Sequence, residues 1–176
     1  TAAYQDAGGT SEINRGGELA SEIERLAVML AELLPQEAEA LGIAALVTLA
    51  RSREGARVDD DGAMVPLSKQ NTAKWDAARI ERARQWLDDA ARFETPGPYQ
   101  VMALIQLTHA RRIFDGVVDW RAILTLYDAL MTMRPGPMVA LNRAMALAEV
   151  EGAQAALDAI DALQLASLEC SRPFHV

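Results

Sequence analysis

The sequence has few of the residues that carry chemistry in most enzymes. It contains one cysteine, Cys170, and two histidines, His109 and His175. A single cysteine excludes a disulfide framework within the chain, and no second cysteine or histidine stands at metal-ligand spacing. The paired glycines at 8–9 and 16–17 lack the strand and helix that flank a phosphate-binding loop. We therefore expect no enzyme activity, no catalytic residues, no cofactor and no metal site.

Long apolar runs and positive charge are also scarce. No apolar run approaches the roughly 18–20 residues of a membrane span, and the first nine residues lack the basic and apolar regions of a signal peptide. The net charge is −8, whereas a nucleic-acid surface needs Lys and Arg to neutralise phosphates. Arg79, Arg82 and Arg84 lie close together, but acidic residues alternate with them. We therefore expect a soluble, cytoplasmic chain that contacts neither a membrane nor nucleic acid directly.

What the sequence does have is helix-forming apolar residues. Hydrophobic residues make up 51% of the chain and aromatic residues only 5%. Alanine and leucine dominate the apolar set, and both lose little rotamer freedom in a helix. Valine and isoleucine, which favour strands, are comparatively few. The composition predicts an all-α fold with a sizeable core.

Apolar residues at three- and four-residue spacing predict helices along most of the chain. The first apolar stripe comprises Leu19, Ile23, Leu26, Met29 or Leu30, and Leu33. Pro35 ends that helix and opens a second one, which runs to about Leu49. Asn71 or Thr72 offers an N-cap for a third helix through Ala90. Further helices are predicted over residues 99–114, 120–133, 138–150 and 153–165.

Residues 56–67 interrupt the helical pattern. Val58 and Met64 flank three aspartates, Asp59 to Asp61, that are followed by Gly62. An Asp-Gly turn of this kind closes hairpins, because both residues tolerate positive φ. A calcium loop would need alternating oxygen ligands and a glutamate at its twelfth position, and the sequence has neither. We predict a short β-hairpin or an extended excursion near residues 56–67.

A repeat is visible in the second half of the chain. The tripeptide Pro-Gly-Pro occurs at residues 96–98 and again at residues 135–137, 39 positions later. Each copy opens a helix, which a polar or glycine break separates from a second amphipathic helix. Such a unit buries its apolar face only by stacking on its neighbours. The pattern predicts antiparallel helix pairs stacked as a tetratricopeptide-like array, and a single helical bundle is the alternative.

Four residues are candidates for a partner-binding groove: Tyr99, His109, Asn142 and Arg143. Asn142 and Arg143 are adjacent on a helix that would line the concave face of such an array, where they could bond a peptide. The structural alternative is an asparagine that bonds a neighbouring helix and an arginine paired with Glu149 or Asp158. His109 lies within an apolar helix, so a core or groove position is favoured over a catalytic one.

An ordered series of short motifs extends over roughly residues 17–165. They include Glu32-Leu33-Leu34-Pro35, Glu39-Ala40-Leu41-Gly42, Ala56-Arg57-Val58-Asp59, Trp75-Asp76, Pro96-Gly97-Pro98-Tyr99-Gln100, Asp119-Trp120, Leu126-Tyr127-Asp128-Ala129-Leu130 and Val139-Ala140-Leu141-Asn142-Arg143-Ala144. This series resembles the C-terminal extension of a group of bacterial extracytoplasmic-function (ECF) RNA polymerase sigma factors. The resemblance implies a tetratricopeptide-like extension that regulates transcription initiation.

The resemblance also implies partners and a domain order. The partners would be the N-terminal sigma regions of the same protein and, through them, RNA polymerase, with a separate regulatory protein as a further candidate. We expect residues 1–16 to be the remnant of a linker from a missing N-terminal sigma region. Residues 17–176 would then form a helical repeat domain, truncated at its C-terminus. The alternative function is a free-standing tetratricopeptide-type adaptor unrelated to transcription.

Overall fold

The structure, a computed structural model, describes residues 6–170, with side chains described for residues 17–163. Eight α-helices follow one another: α1 (Asp6–Leu33), α2 (Ala38–Ser52), α3 (Ala77–Ala91), α4 (Pro98–Ala110), the short α5 (Arg112–Asp115), α6 (Trp120–Met133), α7 (Pro137–Glu151) and α8 (Ala153–Cys170). The all-α prediction is confirmed. The tetratricopeptide-like stacking of the helix pairs stays a prediction. None of the described helices is both long and apolar enough to cross a lipid bilayer.

Helix α2 lies at the centre of the first half of the fold, where it packs against α1, α3 and α4. Small residues make these close contacts possible, and Ala44, Ala45, Ala83 and Ala103 are fully buried. In the second half α4 packs against α6, α6 against α7 and α7 against α8. Ile123 of α6 is fully buried in a cluster that joins α4, α6 and α7. Helix α4 therefore connects the two halves.

The segment between α2 and α3 is an extended excursion with three short 3₁₀ turns, Glu54–Ala56, Leu67–Lys69 and Thr72–Lys74. A single antiparallel bridge joins Val58 and Met64, so the predicted excursion is present without a continuous strand ladder. Gly62 has a φ of 80°, as a tight turn requires. The Asp59 carboxylate accepts hydrogen bonds from the backbone N–H groups of Asp61 and Ala63. The three aspartates therefore belong to a turn.

The third helix begins later than the sequence suggested. Asn71 does cap a helical turn, since its Oδ1 accepts a bond from the Ala73 N–H at 3.0 Å, but that turn is the short 3₁₀ segment. Helix α3 starts at Ala77, after the side chain of Asp76 accepts a bond from the Arg79 N–H at 3.0 Å. The prediction of an α-helix from residue 71 or 72 was therefore wrong, because two caps lie close together and the second one starts the helix.

The two Pro-Gly-Pro copies open α4 and α7 with Pro98 and Pro137 at the first helical positions, as predicted. Their surroundings differ. Gly97 is buried against the side chain of Glu39 on α2, whereas Gly136 has open space around the position of a side chain. The repeat in the sequence is therefore not repeated in the packing at these two glycines.

Helix α1 begins at Asp6, so helical backbone reaches into the range 1–16 that we expected to be a linker. The origin of that range in a sigma-region linker stays a prediction. Cys170 is the last residue of α8, and His175 lies outside the described residues.

Candidate interaction site

The apolar stripe of α1 faces away from the rest of the fold. Its members are 40–72% exposed: Leu19, Ile23, Leu26, Met29 and Leu33. We call these five residues the α1 stripe. The helix contacts α2 instead through small residues, of which Ala27 and Ala31 are buried. At 100° per residue these two faces are roughly a third of a turn apart. An apolar stripe normally faces a core, so this one is a candidate contact surface.

A groove lies between α1 and α2 beside the stripe. Its volume is about 270 Å³, and it is lined by Ala20, Ile23, Leu46, Val47 and Ala50, with Arg51, Glu54 and Arg57 at one end. Ile23 belongs to both the groove and the α1 stripe. The two features therefore form one continuous apolar surface on helices α1 and α2.

Glu24 fixes the position of α1 against the other helices. Its Oε1 atom lies 3.0 Å from Nε of Arg79 on α3, and its Oε2 atom lies 3.4 Å from Nε of Arg51 on α2. The Glu24 side chain is only 16% exposed, so these ion pairs are partly shielded from water. The carboxylate thus links three helices and holds the α1 stripe in its outward orientation.

The four predicted groove residues are distributed over two helices. Tyr99 and His109 lie at opposite ends of α4, about 15 Å apart along its axis. Arg143 on α7 donates from Nε to Oδ1 of Asp128 on α6 at 2.5 Å. Asn142 is half-buried beside it. Within the described part of the chain, no hydrogen bond or ring contact joins any two of the four. Their role in one partner groove stays a prediction.

Arg143 does form an ion pair, as the structural alternative proposed, but with a different partner. Asp128 on the preceding helix takes the place that we had assigned to Glu149 or Asp158. The sequence could not indicate this pair, because the two residues come from different helices and their approach depends on how α6 packs against α7. Tyr99 likewise lies against a cation, with the Arg134 guanidinium 5.9 Å from its ring centre.

His109 packs against an aromatic ring and beside two arginines. Its imidazole meets Trp120 edge to face, with the ring centres 5.3 Å apart. Burial lowers the pKa of His109 to about 4, and the charges of Arg53 and Arg112 contribute to the shift. His109 is therefore neutral at pH 7. The imidazole is half-buried, and its place in a partner groove stays a prediction.

Sequence reasoning missed a cluster of positive charge around His109. Arg53 is only 7% exposed and donates from Nη2 to Oε1 of Gln106 at 2.5 Å. Burial lowers the pKa of Arg53, and the neighbouring charges of Arg57 and Arg112 lower it further. We call Arg53, Arg57, His109 and Arg112 the basic cluster. Its members come from two segments more than fifty positions apart, and no local motif could have indicated it.

Acidic, histidine and cysteine side chains do not gather at any point of the described structure. No three of them lie close enough together to hold a metal ion there.

Comparison with known proteins decides the family. The sequence pattern of a family of unknown function, DUF6596, matches residues 1–91 of the chain. The match covers more than half of the 176 residues. The chain belongs to the DUF6596 family. The matched range contains α1, α2, the excursion and α3, and hence the whole of the α1 stripe and the groove.

The DUF6596 chain also has a relative in Rhizobium meliloti (strain 1021), which is named only as an uncharacterized protein. The two are 41% identical over 146 residues, which make up 83% of this chain and 34% of the relative. The chain thus spans about a third of that protein's length. No solved structure matches the chain.

Proposed function

We propose that this DUF6596 chain is a regulatory protein-interaction module of a bacterial ECF sigma factor. It modulates transcription initiation by docking on the N-terminal sigma regions of the same protein, and it does no catalysis itself. The observation that carries the proposal is the α1 stripe, five large apolar side chains held outward beside an apolar groove. A surface of this kind is costly to leave in water and typically marks a contact with another protein.

The choice of partner rests on two further observations. The motif series from Glu32 to Ala144 resembles the extension of ECF sigma factors, whose other regions bind RNA polymerase. The Rhizobium relative is about three times as long as the stretch that matches this chain, so in that protein the module is joined to further sequence. A tethered partner is present at high effective concentration, which favours docking within one polypeptide. RNA polymerase would be reached through the sigma regions.

A transcription assay with the parent protein tests the proposal. The parent protein is mixed with core RNA polymerase and promoter DNA, and the initial rate of transcript synthesis is measured. The double variant Ile23→Glu/Leu26→Glu places two charges on the α1 stripe, and Thr125→Glu on exposed α6 is the matched control. We expect the stripe variant to change the initiation rate several-fold and the control to leave it unchanged.

Two negative results have different meanings. If the parent protein supports no promoter-specific initiation, the sigma assignment is wrong. The α1 stripe would then serve a free-standing adaptor unrelated to transcription, to which the same apolar surface applies equally well. If initiation occurs but the stripe variant behaves like the wild type, the sigma assignment stands and docking through α1 is wrong.

A further inference from the structure

The basic cluster brings together three positive guanidinium groups and the imidazole of His109 from two segments of the chain. Arg53 directly follows the last residue of α2, and Arg57 directly follows the 3₁₀ turn Glu54–Ala56. His109 lies near the end of α4, and Arg112 begins α5. The positive charges of Arg57 and Arg112 lie close enough to lower the pKa of Arg53, and those of Arg53 and Arg112 lower the pKa of His109. Like charges repel when they are held together, so some other interaction must offset this repulsion.

Within the described part of the chain, no carboxylate offsets the repulsion among the three arginines of the basic cluster. Arg53, Arg57 and Arg112 form no ion pair with any described residue, although other arginines of the chain pair with Glu22, Glu24 or Asp128. This is notable in a chain with a net charge of −8, because carboxylates outnumber cations overall. The Arg53 residue is 93% buried. Burying a guanidinium without a counterion is unfavourable, and such groups are usually paired.

Hydrogen-bond donors in the cluster also remain unused. Arg53 has five N–H donors, and the described residues take one of them, through the neutral amide of Gln106. Trp75 is 95% buried, and its Nε1–H has no partner among the described residues. The Arg112 guanidinium lies 5.1 Å from the centre of the Trp75 ring. A second unsatisfied donor therefore lies next to the cluster.

Arg112 is held in place and is not free to leave the cluster. Its Nη2 donates to the carbonyl oxygens of Leu67 at 2.9 Å and Gln70 at 3.1 Å, and its Nη1 donates to the Ser68 carbonyl at 3.1 Å. These bonds use neutral acceptors and leave the charge uncompensated. Arg57 is exposed, and His109 and Arg112 are half-buried, so the cluster is open to solvent on one side.

We propose that the basic cluster is a binding site for one oxyanion, supplied either as an acidic side chain of a partner protein or as free phosphate. Carboxylates and phosphates are the groups that arginine binds best, because the planar guanidinium offers two parallel donors. An oxyanion at this position would compensate Arg53 and Arg57 and accept bonds from their unused N–H groups. The site does not depend on the sigma assignment, since it rests on Arg53, Arg57, His109 and Arg112 alone.

The histidine provides a direct readout of binding. A negative charge beside the His109 imidazole favours its protonated form and raises its pKa from about 4. We would follow the His109 ring signals by NMR across pH on the whole chain. Parallel titrations would contain inorganic phosphate, a capped alanine–glutamate pentapeptide, or sodium chloride at the same ionic strength.

The proposal predicts that phosphate, the acidic peptide or both raise the pKa of His109 above its value in sodium chloride. Exposed Arg57 is the variant of choice, because Arg53→Gln alters the core and could unfold the chain. Arg57→Gln should weaken binding about tenfold through the loss of a charge-assisted hydrogen bond. Arg84→Gln, which removes an exposed arginine paired with Glu81 and Asp88, should have no effect.

The titrations with phosphate and with the acidic peptide also distinguish the source of the oxyanion. A response to the peptide alone indicates an acidic segment of a partner protein, and a response to phosphate alone indicates the free ion. If the pKa of His109 is the same with phosphate, peptide and chloride, the basic cluster binds no oxyanion and the proposal is wrong. Equal weakening of binding by Arg57→Gln and Arg84→Gln would contradict it as well.

Discussion

Glu39 on α2 holds the first turn of α4. The Oε1 atom of Glu39 accepts hydrogen bonds from the backbone N–H of Gln100 at 3.1 Å and from the side-chain amide of Gln100 at 3.2 Å. The other carboxylate oxygen accepts the backbone N–H of Tyr99 at 3.0 Å. A helix leaves its first N–H groups unsatisfied, and its positive N-terminal end favours a negative charge. Glu39 meets both requirements from a different helix, 60 positions before Tyr99. The carboxylate of Glu39 is therefore one of the contacts that join α2 to α4, beside the apolar packing of the two helices.

Removing this carboxylate should destabilise the chain. Glu39→Ala leaves the N–H groups of Tyr99 and Gln100 without their acceptor, and we expect a loss of about 1–3 kcal/mol in the free energy of unfolding. Urea unfolding followed by circular dichroism measures the change. Glu32→Ala, at an exposed position of α1, is the control and should stay within about 0.5 kcal/mol of the wild type. Equal stability of the two variants would show that the Glu39 carboxylate does not stabilise the contact between α2 and α4.

The two Pro-Gly-Pro copies allow a matched test of the same contact between α2 and α4. A Cβ atom at Gly97 would lie 2.2 Å from Cδ of Glu39, whereas one at Gly136 would meet no atom within 4 Å. Neither glycine has a φ in the left-handed region, so backbone strain does not distinguish them. We expect Gly97→Ala to cost about 1–3 kcal/mol through displacement of Glu39, and Gly136→Ala to cost clearly less. Similar losses in the two variants would contradict this packing.

Helix α1 should loosen when Glu24 is neutralised. Glu24→Gln removes the charge that pairs with Arg51 and Arg79, and we expect faster amide hydrogen exchange in α1 than in α3. Glu22→Gln is the control, because its pair with Arg25 is exposed and contributes little. If α1 exchanges equally fast in both variants, the partly buried pairs of Glu24 do not hold the helix.

The stability of the chain should depend on pH through His109. Its pKa is about 4 in the folded state and 6.5 for an unperturbed histidine, so the unfolded chain binds more protons between these values. The neutral imidazole of His109 therefore makes its full contribution to the free energy of unfolding above pH 6.5, and this contribution is lost as the pH falls towards 4. At about 1.4 kcal/mol per pKa unit, the difference between 6.5 and 4 sets an upper limit of roughly 3–4 kcal/mol, and the remaining solvent contact of the imidazole keeps the loss below that limit.

His109→Gln isolates this contribution. The variant should lose the part of the stability slope that lies between pH 6.5 and 4, whatever its stability at pH 7. Urea midpoints at half-unit pH steps measure the slope in both proteins. If the two slopes agree over this range, the imidazole is not protonated more readily in the unfolded chain than in the folded one.

The helices were predictable because their signals are local. Apolar spacing places Leu19 to Leu33 on one helix, and the fixed φ of Pro98 and Pro137 marks the start of two others. The start of α3 was wrong by about five residues, because Asn71 and Asp76 both carry capping side chains and only tertiary packing selects between them. Local chemistry thus indicates that a helix exists more reliably than where it begins.

The candidate surfaces were less predictable, because they depend on which elements meet. Periodicity groups the α1 stripe but does not say whether it faces the core, and here small alanines take the buried face instead. The basic cluster requires the end of α2 to meet α4 and α5, which nothing in the sequence near Arg53 indicates. Likewise the partner of Arg143 is Asp128 on another helix.

Docking through the α1 stripe is measured directly by the binding of the 176-residue chain to the N-terminal sigma regions that we propose for its parent protein, supplied as a separate polypeptide. Isothermal titration calorimetry would compare the wild type, Ile23→Glu/Leu26→Glu and the control Thr125→Glu. We expect the wild type and the control to bind alike and the stripe variant to bind at least about tenfold more weakly, because the contact would then bury two charges in place of two apolar side chains. No binding by the wild type, or equal binding by all three, would contradict docking through the α1 stripe.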